Sequence, residues 1–196
     1  MSTEGLSRNE SRRHLREQRR SLATSYAHAA AHSAAVQLSA DQLWQAEHIA
    51  LYLCNDGELD PSRIAQMAWE AGKHLYLPVI TADTGMQFCE WFASDPLQHN
   101  RYGIGEPQGD PVAASVLELL LLPTVGWSAS GFRLGMGGGY YDRFLGNEDC
   151  NAALRLGLAY DCQRDDALDL LKESWDQPLN AVITESGIMR FTALAN

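Results

Sequence analysis

The run LELLLLP at residues 117–123 constrains the fold more than any other stretch of the chain. It shows no polar alternation, so it reads as a strand buried on both faces, the signature of a central strand in a parallel sheet. Two more strands, HIALYLC at 48–54 and HLYLPVI at 74–80, flank PSRIAQMAWEAGK at 61–73, an amphipathic helix that opens on Pro61 and stops at Gly72. Strand, helix, strand is a βαβ unit. Further strands are predicted at 86–92, 154–160, 180–185 and 187–191, with a long Gly- and Pro-rich loop at 94–111. Helices are predicted at 7–23, where Ser7 and Glu10 form a capping-box pattern, and at 25–45, with a break near Ser39-Ala40-Asp41. The architecture this implies is one α/β domain over residues 1–196: three α/β/α layers around a mostly parallel, Rossmann-like sheet. Ligands should bind at the carboxyl ends of its strands, where the loops after Leu53 and Pro123 emerge.

Composition narrows the function classes. No apolar run of about 18 residues is present, which argues against a membrane-spanning helix. The polar start has no apolar core of a secretory signal, so a cytoplasmic protein is expected. The four cysteines, Cys54, Cys89, Cys150 and Cys162, form no C-x-x-C pair, against a zinc site or a disulfide framework. The net charge is -10, yet residues 1–20 hold six arginines against three glutamates. A basic helix on an acidic body suits local recognition of an anion better than nucleic-acid binding. A monomer is expected, because no heptad stripe appears.

The strongest chemical signal is RLGMGGGYYD at residues 133–142, a glycine-rich stretch after the buried strand. Glycines let backbone N–H groups approach an anion, and Arg133 and Arg143 add fixed charge. The spacing fits neither G-x-x-x-x-G-K-[ST] nor G-x-G-x-x-G, since residue 140 is Tyr. On spacing alone the stretch is either a phosphate cradle or a tight packing turn.

The whole stretch G-F-R-L-G-M-G-G-G-Y-Y-D-R, from Gly131 to Arg143, resembles the signature of the 5-formyltetrahydrofolate cyclo-ligase family. So do, in order, R-R-H-L-R (12–16), IALYLCNDGELD (49–60), AGKHLYLP (71–78), IGEP (104–107), LGLAYDCQ (156–163) and WDQPL (175–179). The resemblance implies a fold of the NagB/CoA-transferase-like kind. It also implies conversion of 5-formyltetrahydrofolate and ATP, with Mg²⁺, into 5,10-methenyltetrahydrofolate, ADP and phosphate through a phosphorylated formyl group.

Site residues follow from the same resemblance. Arg12, Arg13, His14, Leu15 and Arg16 should contact ATP, with Arg12 standing where the family usually has Lys. Arg133, Leu134, Gly135, Met136, Gly137, Gly138, Gly139, Tyr140 and Tyr141 should hold its phosphates, with Arg133, Gly137, Tyr140 and Tyr141 facing the transferring group. Folate should meet Leu53, Glu58, Tyr102, Met136, Gly137, Gly138, Gly139 and Tyr140. Asp142 and Asp176 are the expected magnesium carboxylates. Tyr102 stands where the family tends to show Trp. A non-catalytic folate or nucleotide binder is the alternative reading, and an RNA-binding protein using the arginine-rich helix is a third.

Overall fold

The apolar runs become strands in the computed structural model, which describes residues 5–83, 85–150 and 152–191. The predicted unit 1–196 therefore extends beyond the described residues at both ends. In chain order the elements are α1 (Arg8–Arg20), α2 (Thr24–Ser39), β1 (His48–Ala50), α3 (Ser62–Glu70), β2 (His74–Ile80), β3 (Met86–Glu90), β4 (Gln98–His99), β5 (Gly105–Glu106) and β6 (Pro111–Val112). They continue with β7 (Leu119–Pro123), β8 (Gly126–Trp127), β9 (Arg133–Leu134), α4 (Tyr140–Leu145), β10 (Leu154–Leu158), β11 (Ala181–Ile183) and β12 (Ile188–Arg190).

Eight strands form the main sheet in the order β12-β11-β10-β7-β1-β2-β3-β6. The five central strands, β11 to β2, are parallel, and β12, β3 and β6 add antiparallel edges. The chain builds outward from β1 to β2, then returns to the other side of β1 to place β7, β10 and β11. This reversal is a topological switch point, and the loops leaving β1 and β7 diverge there.

β7 shows why the sheet is buried on both faces. Leu119 and Leu121 join Ile49, Leu75 and Leu156 under the alanine face of α2 and under Ile64 and Ala68 of α3. Leu120 and Leu122 point the other way, with Ala50, Tyr76, Phe88 and Val182, toward Tyr141, Phe144 and Leu145 of α4. A third small cluster joins Leu15 of α1 to Val125, Phe132, Leu134 and Leu168, so α1 lies across the carboxyl ends of the strands.

Several sequence expectations hold in detail. Ser7 and Glu10 cap α1 reciprocally. The chain breaks after Ser39, and a 3-10 turn at Gln42–Gln45 follows. Gly72 ends α3 at φ 76, and Lys73 N–H reaches back to Ala68 O at 3.0 Å, a left-handed helix cap. Others are corrected. The predicted strands at 48–54 and 154–160 stop at Ala50 and Leu158, and a 3-10 turn at Asp161–Gln163 follows the second. The strand predicted at 86–92 stops at Glu90 and pairs antiparallel with β2. The stretch at 94–111 carries the β4–β5 hairpin and the edge strand β6. The second helical layer is thin: α4 has only 6 residues, and irregular chain covers the rest of that face. Among the described residues no helix is long and apolar enough to cross a membrane.

Candidate active site

At the switch point the turn after β1 is clamped by arginines from α1. Asp56 sits at φ 53, a left-handed conformation that Asp tolerates better than most residues. Its carboxylate accepts from Arg16 Nε at 2.6 Å and Arg19 Nη2 at 3.0 Å, and Arg20 also pairs with it. Burial pushes the Asp56 carboxyl up, but the bonds from Arg16 and Arg20 and the charge of Arg19 outweigh it and bring it down to about 2. Arg19, fully buried, also donates Nε to Asp56 O at 2.9 Å and Nη1 to Thr124 O at 3.3 Å. One guanidinium thus ties α1 to both diverging loops.

The glycine loop lies next to this clamp. Arg12 donates Nε to Gly135 O at 2.9 Å. Gly137 and Gly139 have φ of 98 and 67, which only glycine adopts without strain, and a Cβ on Gly137 would stand 3.2 Å from Arg12 Cζ. Met136, Gly137 and Gly138 are exposed, whereas Arg133 and Leu134 are buried. Arg133 lies under the loop: Nη1 donates to Pro123 O at 3.2 Å, Nη2 to Asp142 Oδ1 at 3.1 Å, and its buried Nε has no hydrogen-bond partner among the described residues. Its guanidinium also stands 5.7 Å from the Tyr141 ring centre. Burial, reinforced by the Glu58 charge, raises the Tyr141 phenol. Tyr140 is different: its exposed hydroxyl meets Tyr102 Oη at 3.0 Å and Arg101 Nη2 at 2.5 Å, and these two bonds lower its pKa.

The two predicted metal carboxylates come together although 33 residues separate them in sequence; both act on the charge of Arg12, whose own pKa is lowered by burial and by Arg8. Asp142 Oδ1 takes the bond from Arg133 and one from Gln177 N–H at 3.4 Å. Asp176 is gripped on both oxygens by Arg8, at 3.0 and 2.7 Å. Magnesium bound with a nucleotide takes one or two protein carboxylates and completes its shell with phosphate and water. Asp142 and Asp176 fit that requirement, with ligation by Asp176 requiring exchange of Arg8. No group of three or more His, Cys, Asp and Glu that could hold a metal occurs among the described residues.

Glu58 is buried; its Oε2 accepts from Asn55 N–H at 3.1 Å, and its Oε1 stands 3.7 Å from Arg19 Nη2. Burial raises its pKa and Arg19 opposes the rise. A cavity of about 410 Å³ opens beside it, walled in part by Arg19, Cys54, Gly57, Asp60 and Tyr160. Leu53 is half-buried against the main core and Tyr102 is exposed at the hairpin rim; neither lines that cavity. Of the remaining α1 residues, Arg13 is exposed, Leu15 is core, and half-buried His14 has a buried Nε2 without a hydrogen bond among the described residues.

Sequence reasoning missed Arg8, Arg19, Asp56 and Arg101. Arg8, Arg12, Arg16, Arg19 and Arg20 all fall on one side of α1 at helical spacing, and spacing does not say which of them is buried against Asp56. Asp56 carried a signal, an acid in an N-D-G turn beside an arginine-rich helix, but nothing local marks the pairing.

The geometry agrees with known proteins. A family model described as the 5-formyltetrahydrofolate cyclo-ligase family matches residues 5–185. The 5-formyltetrahydrofolate cyclo-ligases of Haemophilus influenzae and Escherichia coli (strain K12) are each 38% identical, over 69% and 73% of this chain and 74% and 80% of theirs. The solved 5,10-methenyltetrahydrofolate synthetase of Aquifex aeolicus superposes with a TM-score of 0.82 at 24% identity, over 96% of this chain and 95% of that one. The Mycoplasma pneumoniae synthetase gives 0.75 at 21% identity, over 92% and 99%. These two structures speak for the fold; the match across nearly the whole chain and the 38% identical relatives establish that the chain belongs to the 5-formyltetrahydrofolate cyclo-ligase family.

Proposed function

We propose that this chain catalyses the ATP- and magnesium-dependent closure of 5-formyltetrahydrofolate to 5,10-methenyltetrahydrofolate, with release of ADP and phosphate. The observation that carries the assignment to this site is convergence. The arginines of α1, the exposed glycine loop, Asp142 with Asp176, and the buried turn of Glu58 all meet at one switch point.

The chemistry asks mainly for positioning and charge neutralisation. The formyl oxygen attacks the γ-phosphorus and ADP leaves; the oxygen has become part of a phosphate leaving group. N10 then attacks the formyl carbon, loses its proton, and phosphate departs as the ring closes. Arg12 and Arg16 supply charge toward the nucleotide, with Arg13, His14 and Leu15 on the same helix. Gly135 to Gly139 bring backbone N–H groups to the phosphates, and buried Arg133 fixes both that loop and Asp142. Tyr140 and Tyr141 flank the transferring group. Asp142 and Asp176 are the carboxylates that would hold magnesium, which when bound would supply neutralisation of phosphate charge. Glu58 accepts from the 2-amino and N3–H edge of the pterin, while Leu53 and Tyr102 contact the folate. The net charge of -10 disfavours nucleic acid as a partner, and a cytoplasmic monomer completes the reading.

The test is direct. Purified protein with 5-formyltetrahydrofolate, ATP and Mg²⁺ should produce the ultraviolet band of the methenyl product, and omission of ATP or metal should abolish it. A folded protein that binds ATP and forms no product would support the non-catalytic binder instead.

A further inference from the structure

We infer that Arg19 is a positioning residue for the folate half of the site: it pins the turn at residues 55–58 against the end of β7. The inference rests on the reading of Glu58 as a folate contact. Arg19 differs from the other α1 arginines in having no exposed side-chain surface. Its fork is already committed: Nε to Asp56 O, Nη1 to Thr124 O, and Nη2 to Asp56 Oδ2, with Glu58 Oε1 3.7 Å away. With Met136 Sδ also 4.0 Å from Nη2, all three nitrogens of the guanidinium face protein groups, and none of its surface is exposed. What it does hold is the backbone of Glu58's turn at Asp56 and that of the loop after β7 at Thr124, whose carbonyl Gln163 Nε2 also braces at 2.7 Å.

Glu58 needs such help. The groups acting on it are Arg19 and Arg16 from α1, Asp56 of its own turn, Tyr52 and Cys54 after β1, and Tyr141 of α4. Burial favours the neutral acid, and Arg19 is the largest opposing influence. A neutral Glu58 offers a hydroxyl where the proposed pterin edge presents donors, so binding would lose a charge-assisted pair. Taking away the Arg19 charge therefore moves the Glu58 carboxyl further up, and folate affinity should start to fall at a higher pH on acidification.

Calorimetry on the full chain tests this, with 5-formyltetrahydrofolate and ATP titrated separately across pH. Arg19→Met should weaken folate about 10- to 100-fold and ATP by a clearly smaller factor. Its acid limb for folate should lie above that of the wild type. Arg19→Lys keeps the charge and loses the fork, so folate should weaken less and the acid limb should stay near the wild-type position. Should Arg19→Met fail to fold, Arg19→Lys carries the affinity split alone. Equal losses for folate and ATP, or a lowered melting temperature with folate affinity intact, would overturn the inference. Glu58→Gln separates the two possible failures. Unchanged folate affinity in that variant ends the reading of Glu58 and the inference with it; weakened folate in Glu58→Gln but not in the Arg19 variants ends the inference alone.

Discussion

The two loops that leave the switch point are built on opposite plans. The turn after β1 is closed: Asp56 is shared by three arginines, Arg19 is buried, and Glu58 is buried with one carboxylate oxygen bonded to Asn55 N–H. The glycine loop after β9 is open: Met136, Gly137 and Gly138 face solvent, and its rim is an exposed group of Tyr140, Tyr102 and Arg101. A turn that reads a flat heterocycle gains from being rigid before the substrate arrives. A loop that must wrap phosphates gains from backbone free of side chains. The open loop is nevertheless braced from beneath, because Arg133 links Asp142 to the end of β7.

The largest expected effect comes from removing that brace. Arg133→Ala leaves Asp142 without its buried partner, and turnover should fall about 100- to 1,000-fold, measured from the rate of methenyl formation. A variant that keeps near-normal turnover would show that the open loop needs no support from below. Gly137→Ala comes next, since its Cβ must accept φ 98 and meet Arg12 at 3.2 Å. ATP KM should rise about tenfold, in line with about 1–2 kcal/mol for a left-handed non-glycine residue.

The closed turn is probed through stability. The folded Asp56 carboxyl, at about 2, is depressed from its ordinary 3.8, so its contribution is fully present above 3.8 and is lost as pH falls through about 2. Asp56→Asn should cost about 1–2 kcal/mol in denaturant unfolding at neutral pH after allowance for solvent screening, and the difference from wild type should shrink toward pH 2. The smallest effect belongs to the exposed rim. Tyr102→Phe removes one hydroxyl contact with Tyr140 and retains the ring, so folate KM should change by about twofold and melting temperature hardly at all.

Much of the scaffold was legible because its causes are local. The uninterrupted leucines of β7 announced a strand buried on both faces, the Ser7–Glu10 pair fixed the start of α1, and Gly72 fixed the end of α3. The loops after β1 and β7 were placed at the ligand end by the βαβ rhythm. The antiparallel return of β3 was not legible, since an apolar run does not state its direction. The β4–β5 hairpin, with strands of two residues each, leaves no periodicity to read. In the site, the motif at 131–143 marked the glycine loop with Asp142, and the WDQPL stretch marked Asp176, but neither says what these residues touch. The pairing of Arg8 with Asp176 spans 168 residues, and that of Arg19 with Asp56 spans 37. Such contacts are set by how α1 crosses the strand ends, which no local pattern encodes.

Under the proposed function one crevice holds two half-sites, nucleotide toward Arg12 and the glycine loop, folate toward Glu58. Separate calorimetric titrations of ATP with Mg²⁺ and of 5-formyltetrahydrofolate into Arg12→Ala and Glu58→Gln test it most directly. Arg12→Ala should weaken ATP and spare folate, Glu58→Gln should do the reverse, and both should slow methenyl formation. Folate binding that is indifferent to Glu58, or ATP binding that is indifferent to Arg12, would contradict it.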